Sequence, residues 1–354
     1  MLLGTSAAAE AANKALMING ISGGTQLSDI VMANILGGMF KNYDRKNVVW
    51  PQQAAVLNFG GLRLDQSIAQ GVINLDADLA TALSELQPGE HVTIVGLSAG
   101  SLVADAELAK LATDPNAPDK SKLNFVVVSD SSRILFNKNR YDGIIKYQYR
   151  PPVDTKYDTT VVAAEYDGFA DFPDRPLNFL AVANALAGEI VQHVPNFLTS
   201  LSTVPAENIT VKTNSLGGVT TSYLIPAARL PLVVLIPALA PQEAELKAKI
   251  DTAYVRNDGK SSAAATTPVA AAADASAPAE VASSAVADQP AKAAKATPRG
   301  ALAKAIQKTK AAVAAAAAGK ATASNGSSQS GTAKKSRAPR AAAADRVTKL
   351  ASAQ

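Results

Sequence analysis

The chain has 354 residues, 47% of them hydrophobic, with two histidines and no cysteine; disulfides and thiolate metal sites are excluded, and the length allows one large domain or two average ones. Its net charge of +4 combines two unlike parts: residues 259–354 carry 14 Lys and Arg against four Asp and Glu, leaving 20 against 26 for residues 1–258. The longest charge-free apolar run, LPLVVLIPALAP at 230–241, is too short and too rich in proline for a membrane span.

In chain order, the start MLLGTSAAAEAANKAL has an Ala-x-Ala element but neither the basic start nor the long apolar core of a signal peptide. It fits a cytosolic protein or one whose export signal has been lost from the start. Strand-type runs follow at 15–19, 54–59, 91–96, 124–130 and 159–167. Most are continuously apolar, as expected of strands covered on both faces. Helix-type stretches at 26–40, 64–86, 99–112 and 176–190 alternate with them. The alternation predicts an α/β fold, a mainly parallel sheet with helices on both faces.

One of these junctions carries chemistry. The segment HVTIVGLSAGSLVAD, residues 91–105, runs a strand straight into Gly96-Leu97-Ser98-Ala99-Gly100 and then into a helix. That is the context of a nucleophile elbow, in which the glycines let strand and helix approach while the serine hydroxyl stands above the sheet. The bland reading of the same pattern is a glycine-rich turn that binds phosphate or nothing. A serine nucleophile needs a base. His91 begins the strand that ends at Ser98, and seven extended residues separate the two by about 23 Å, so it is excluded. His193, in the loop IVQHVPNF after the last helical stretch, is the candidate base. The orienting acid is expected between them in the chain, where VVAAEYDGFADFPDRP offers Asp167, Asp171 and Asp174. Asp167 stands at the strand end before a glycine and is preferred, with Asp171 as its rival. Asp174 reads as a helix-start residue, with Pro176 in the first turn. The backbone N–H of Ala99, joined by one from residues 20–22 such as Ile21 or Ser22, is the expected oxyanion hole.

The segments ALMINGISGGTQLSD, LDQSIAQGVINLDADL, GLSAGS and, above all, YDGFADFPDRPLNFLAVANALAG resemble the PE-PPE domain, a family of mycobacterial serine α/β-hydrolases related to cutinases. The likeness runs from about residue 14 to 240. It implies an α/β-hydrolase-type fold and hydrolysis of carboxylic, including lipid, esters through an acyl-enzyme. In some members it implies acyl transfer between trehalose-type envelope lipids. Carried over by position, the implied triad is Ser98, Asp167 or Asp171, and His193, and the resemblance favours a cell-envelope or secreted location. This chain departs from the pattern in the turn after the first strand, NGISGGTQ, and by this reading no PE or PPE leader is expected before the domain.

The apolar stretch 223–240 reads either as the wall of an acyl channel or lipid-docking surface, or as a core-packing extension of the fold. Neither metal nor cofactor is expected. Residues 1–258 form the expected enzyme domain. Residues 259–354, rich in Ala, Lys and Pro and poor in large apolar residues, are expected to be mostly disordered. This basic tail suits contact with an anionic membrane, glycan or nucleic acid, or serves as a linker. Within it, 301–319 places Leu302, Ile306 and Val313 near one helical face, with Lys304, Lys308 and Lys310 elsewhere around it. The competing reading for the whole chain is a hydrolase fold without catalysis that presents this tail to a partner.

Overall fold

Strand Val92–Leu97 is buried at all six positions, which requires a place in the middle of a sheet covered on both faces. The computed structural model describes residues 12–55 and 61–258. In chain order its main elements are β1 (Lys14–Ile18), α1 (Asp29–Gly38), β2 (Asp44–Asn47), α2 (Leu64–Ser84), β3 (Val92–Leu97), α3 (Ala99–Leu111) and β4 (Leu123–Val128). After these come β5 (Tyr141–Asp142), β6 (Tyr147–Gln148), β7 (Thr159–Ala164), α4 (Phe179–Val191), β8 (Ile209–Thr213), β9 (Val219–Ile225), α5 (Pro231–Leu235) and α6 (Glu243–Asp251). Seven strands form one sheet in the order β2-β1-β3-β4-β7-β9-β8, and β5 and β6 form a separate pair. Every neighbour in the large sheet is parallel except β8 and β9. The α/β architecture expected from the alternating pattern, a mainly parallel sheet with helices on both faces, is therefore present.

Side chains alternate between the two faces, as the pleat demands. Leu16, Ile18 and Ile94 pack with Leu64, Ile68 and Leu75 of α2 and with Leu102 and Val103 of α3. Ala15, Met17, Val95 and Leu97 pack with Met32 and Ile35 of α1 on the other face. A third cluster joins Tyr166 to Leu230, Val233, Ile250 and Tyr254. No helix among the described residues is long and apolar enough to cross a membrane.

Several expectations are corrected. Residues 56–59 of the strand expected at 54–59 lie outside the described residues, and Ala54 and Ala55 are not in a strand. The strand beside β1 is β2, whose sequence DRKN has no apolar pattern. It holds because Arg45 donates to Asp29 and to the carbonyls of Phe40, Lys41 and Tyr43. Asp174 does not start a helix: it accepts from the Val255 N–H, and α4 begins after Asn178, whose side chain accepts from Ala181. The 223–240 stretch supplies the end of β9 and all of α5, with Leu230 and Val233 buried, and contributes no wall to the two cavities at Ser98. It extends the core. The basic tail and its 301–319 segment lie outside the described residues.

One buried acid gives the fold a pH signature. Glu107 of α3 is fully buried, its oxygens lack hydrogen-bond partners among the described residues, and the Lys110 ammonium stands 3.7 Å away. Burial, reinforced by Asp76, pushes its carboxyl from an ordinary 4.5 up to about 7. The folded chain therefore holds this proton more tightly than the unfolded chain does. The resulting stability is complete below about pH 4.5 and is lost as pH rises through 7. Glu107→Gln should gain on the order of 1–3 kcal/mol relative to the parent at pH 8 but not at pH 4.5. Urea unfolding at the two pH values measures this, and a pH-independent difference would contradict it.

Candidate active site

The strand register decides which loops meet. Ile18 pairs with Gly96, Gly96 with Val127, and Val128 with Val162, so β1, β3, β4 and β7 end along one edge of the sheet. Residues 19–22, Ser98, Ser129 and 166–171 follow those ends and share that edge, the usual place for a site in an open α/β sheet. His91, by contrast, precedes β3; its carbonyl accepts from Lys14, and its ring lies beside Tyr43 at the opposite end. The elimination of His91 agrees with this geometry.

Ser98 is a sharp turn. Its backbone takes φ 53° and ψ −125°, a conformation that costs a non-glycine residue about 1–3 kcal/mol and needs surrounding structure to hold it. That structure is specific. Ser98 N–H donates to the Val128 carbonyl at 2.8 Å, and Ser101 Oγ donates to the carbonyls of Gly96 and Val128. A Cβ on Gly100 would lie 2.1 Å from the Ile18 carbonyl oxygen, and one on Gly96 would lie 2.6 Å from Ser101 Cα. Both glycines of the pentapeptide are thus required by close approach.

His193 arrives from the other side. It follows α4, which lies so close to the chain after β7 that a Cβ on Gly188 would stand 1.9 Å from the Tyr166 carbonyl oxygen. The imidazole lies between Phe169 and Phe197, at centroid distances of 4.7 and 5.4 Å. Its Nε2 is 2.9 Å from Ser98 Oγ and its Nδ1 is 2.8 Å from Asp167 Oδ2. An ionised carboxylate can only accept, so Nδ1 carries the proton and the lone pair of Nε2 faces the serine hydroxyl. Asp167 is fully buried and also accepts from Ser129 Oγ at 3.0 Å and from the Phe169 N–H at 3.0 Å.

The rival acid is placed elsewhere. Asp171 makes a 2.5 Å ion pair with Arg256 and accepts from the Tyr166 N–H at 2.7 Å; its carboxylate does not contact His193. Burial raises its carboxyl to about 6, against the pull of Arg256. Its own N–H donates to the Asp167 carbonyl, so it braces the loop that carries Asp167. Of the expected oxyanion donors, the N–H groups of Ala99 and Ile21 have no partner among the described residues. The Ser22 N–H does not fit that role: the Gln52 carbonyl accepts it at 3.2 Å. Sequence reasoning missed Ser129, which stands at φ 56° directly after β4, and the two phenylalanines that contact the imidazole, one tilted and one edge-on. Nothing in a local pattern marks them, although the parallel strand ends foretell a residue at the position of Ser129.

Two cavities, of about 370 and 390 Å³, share a wall made by Ile21, Ser98 and His193. A larger cavity of about 640 Å³ opens beside Tyr43 and His91 at the opposite sheet edge, away from this hydrogen-bonded set.

Comparison with known proteins places the chain in a family. The PE-PPE domain model matches residues 41–255, and the chain belongs to that family. Diacyltrehalose acyltransferase Chp2 of Mycobacterium tuberculosis is 43% identical over 183 residues, covering 46% of this chain and 51% of the relative. SL1278 acyltransferase Chp1 of the same organism is 36% identical over 217 residues, covering 58% and 51%. Esterase PE16, also from M. tuberculosis, is 32% identical over 214 residues, covering 55% and 39%. The matched part thus spans about half the length of the first two relatives. A solved cutinase-like protein from Cryptococcus sp. aligns with a TM-score of 0.30 at 18% identity, covering 47% of this chain and 82% of that one.

Proposed function

We propose that this PE-PPE domain protein is a serine-dependent esterase and acyltransferase for lipid esters, with its chemistry in residues 1–258. Ser98 is the nucleophile, His193 the base and Asp167 the acid that orients it. The observation that carries the reading is the continuous hydrogen-bonded chain from Ser98 Oγ through His193 to Asp167, set at the junction of two cavities with largely apolar walls. The relatives' names, two acyltransferases and an esterase, support the same reaction class.

In the first half-reaction Ser98 Oγ attacks the ester carbonyl carbon and gives its proton to His193 Nε2. The carbonyl oxygen becomes an oxyanion that accepts from the Ala99 and Ile21 N–H groups. Collapse breaks the bond to the leaving alkoxide, which takes the proton from His193, and the acyl group stays on Ser98. In the second half-reaction water or an alcohol attacks the acyl carbon while His193 accepts its proton. Ser98 then leaves with that proton. Asp167 holds the ring tautomer and stabilises its cation throughout.

The test is a quenched reaction of the full chain with 4-nitrophenyl octanoate, followed by peptide mass spectrometry. An octanoyl adduct on Ser98 is expected. Turnover without an adduct on Ser98 would refute the nucleophile, and absence of both turnover and adduct would favour the non-catalytic binding protein.

A further inference from the structure

An acyl-serine tetrahedral centre has four substituents, and two of them are bulky: the acyl chain and the alcohol portion. With Ser98 Oγ on one corner and the oxyanion on another, the two bulky groups must diverge. The cleft divides accordingly. On the α1 side of the shared wall, the 390 Å³ cavity is lined by Leu27, Val31, Ile35, Leu97, Phe197 and Leu198; its polar lining residues, such as Asn19, come from the elements at the wall itself. On the α3 side, the 370 Å³ cavity combines Leu64, Leu102 and Ile145 with Ser129, Ser131 and Tyr149. Ser129 is committed to Asp167, which leaves Ser131 and Tyr149 as the side-chain hydroxyls away from the relay.

Resting on the function proposed above, we infer that the α1-side cavity holds the acyl chain and the α3-side cavity holds the alcohol portion, selecting a sugar or other polyol hydroxyl as acceptor. An alkyl chain makes no hydrogen bonds and gains most from a wall without polar side chains. A sugar entering an apolar wall would leave hydroxyls unpartnered, whereas Ser131 and Tyr149 can exchange hydrogen bonds with it while Leu102 and Ile145 cover its C–H faces. Transfer balances as a simple exchange. The acceptor hydroxyl oxygen forms a bond to the acyl carbon and its proton goes to His193; the bond from that carbon to Ser98 Oγ breaks and Ser98 takes the proton.

Two ratios test the assignment in the full-length protein. The first is kcat/KM for 4-nitrophenyl dodecanoate over that for 4-nitrophenyl butyrate. The second is acyl-trehalose formed over fatty acid released when trehalose is added as the probe acceptor. Leu198→Trp, at a half-exposed position on the α1 side, should lower the first ratio by about tenfold or more and move the second by less than about twofold. Ile145→Trp, on the α3 side, should do the reverse. Each variant is first titrated with a short-chain fluorophosphonate that labels Ser98. A variant that fails to label is replaced by Val31→Trp on the α1 side or Tyr149→Phe on the α3 side. The reverse pattern, or equal effects of both substitutions on both ratios, would overturn the assignment. If the parent forms an acyl adduct on Ser98 but no trehalose ester, the acceptor assignment falls and the serine-enzyme reading stands. If it forms no adduct, that underlying reading falls instead.

Discussion

Ser98→Ala should reduce kcat on a medium-chain aryl ester by roughly 10⁴- to 10⁶-fold, with His193→Ala close behind and the double variant little worse than either. The non-additivity follows from the geometry. Ser98 Oγ and His193 Nε2 are 2.9 Å apart and act on one proton, so the second removal finds nothing left to disable. Residual turnover should come from the Ala99 and Ile21 N–H groups and from binding in the cavities. Neither variant should unfold the protein: the backbone at Ser98 is held by its N–H bond to Val128 and by Ser101, not by its hydroxyl. His91→Ala is the matched control, because it removes the other imidazole at the far end of the sheet. Circular dichroism melts and steady-state rates decide the matter. Near-parent turnover in His193→Ala would sink the base assignment.

The second large effect separates the two aspartates by kind rather than size. Asp167→Asn should lower kcat by about 10⁴-fold while the melting temperature moves little. An amide whose oxygen keeps the Phe169 N–H at the Oδ1 position places its NH₂ group at the Oδ2 position, where it donates to His193 Nδ1 and obliges the Ser129 hydroxyl to turn and accept instead of donate. That favours the tautomer whose Nε2 carries the proton and cannot accept from Ser98. Asp171→Asn should do the opposite. It leaves the partly buried Arg256 guanidinium without its 2.5 Å partner and, among the described residues, with Glu165 at 3.7 Å as its remaining ion-pair partner. Breaking a partly buried pair in this way costs on the order of 1–4 kcal/mol, read as a lowered urea midpoint, with kcat reduced far less than in Asp167→Asn. If Asp171→Asn abolishes turnover in a fully folded protein while Asp167→Asn retains it, the choice of carboxylate is wrong.

Much of this was legible in the sequence because it is local. Continuous apolar runs mark β1, β3, β4 and β7, since a strand covered on both faces has no polar side to show. The glycines around Ser98 mark a strand-to-helix turn, and extended-chain length alone removes His91 from consideration. Helix α4 was legible as a periodic stretch, but its start was not. The Asp-Arg-Pro signal at 174–176 is outweighed by the contact of Asp174 with Val255 and by the cap at Asn178.

Edge and amphipathic strands escaped. The side chains of β2 alternate between exposed and partly buried, and its charges suit a sheet edge that must not pair further. β8 is mostly exposed and β9 only partly buried, so neither produces an apolar run. Their place in the sheet is set by register with β7, a long-range property.

The sequence by itself determined the alternating α/β pattern and the strand-to-helix turn that carries Ser98, because each depends on residues close in the chain. Only the tertiary structure decided between Asp167 and Asp171, which are four residues apart and chemically identical. The choice rests on their surroundings: Arg256, from the far end of the described chain, takes up Asp171, while Ser129 and Phe169 turn Asp167 toward His193. Packing of α4 against the Tyr166 carbonyl then brings the imidazole within hydrogen-bond reach of both Asp167 and Ser98, a distance no local pattern encodes.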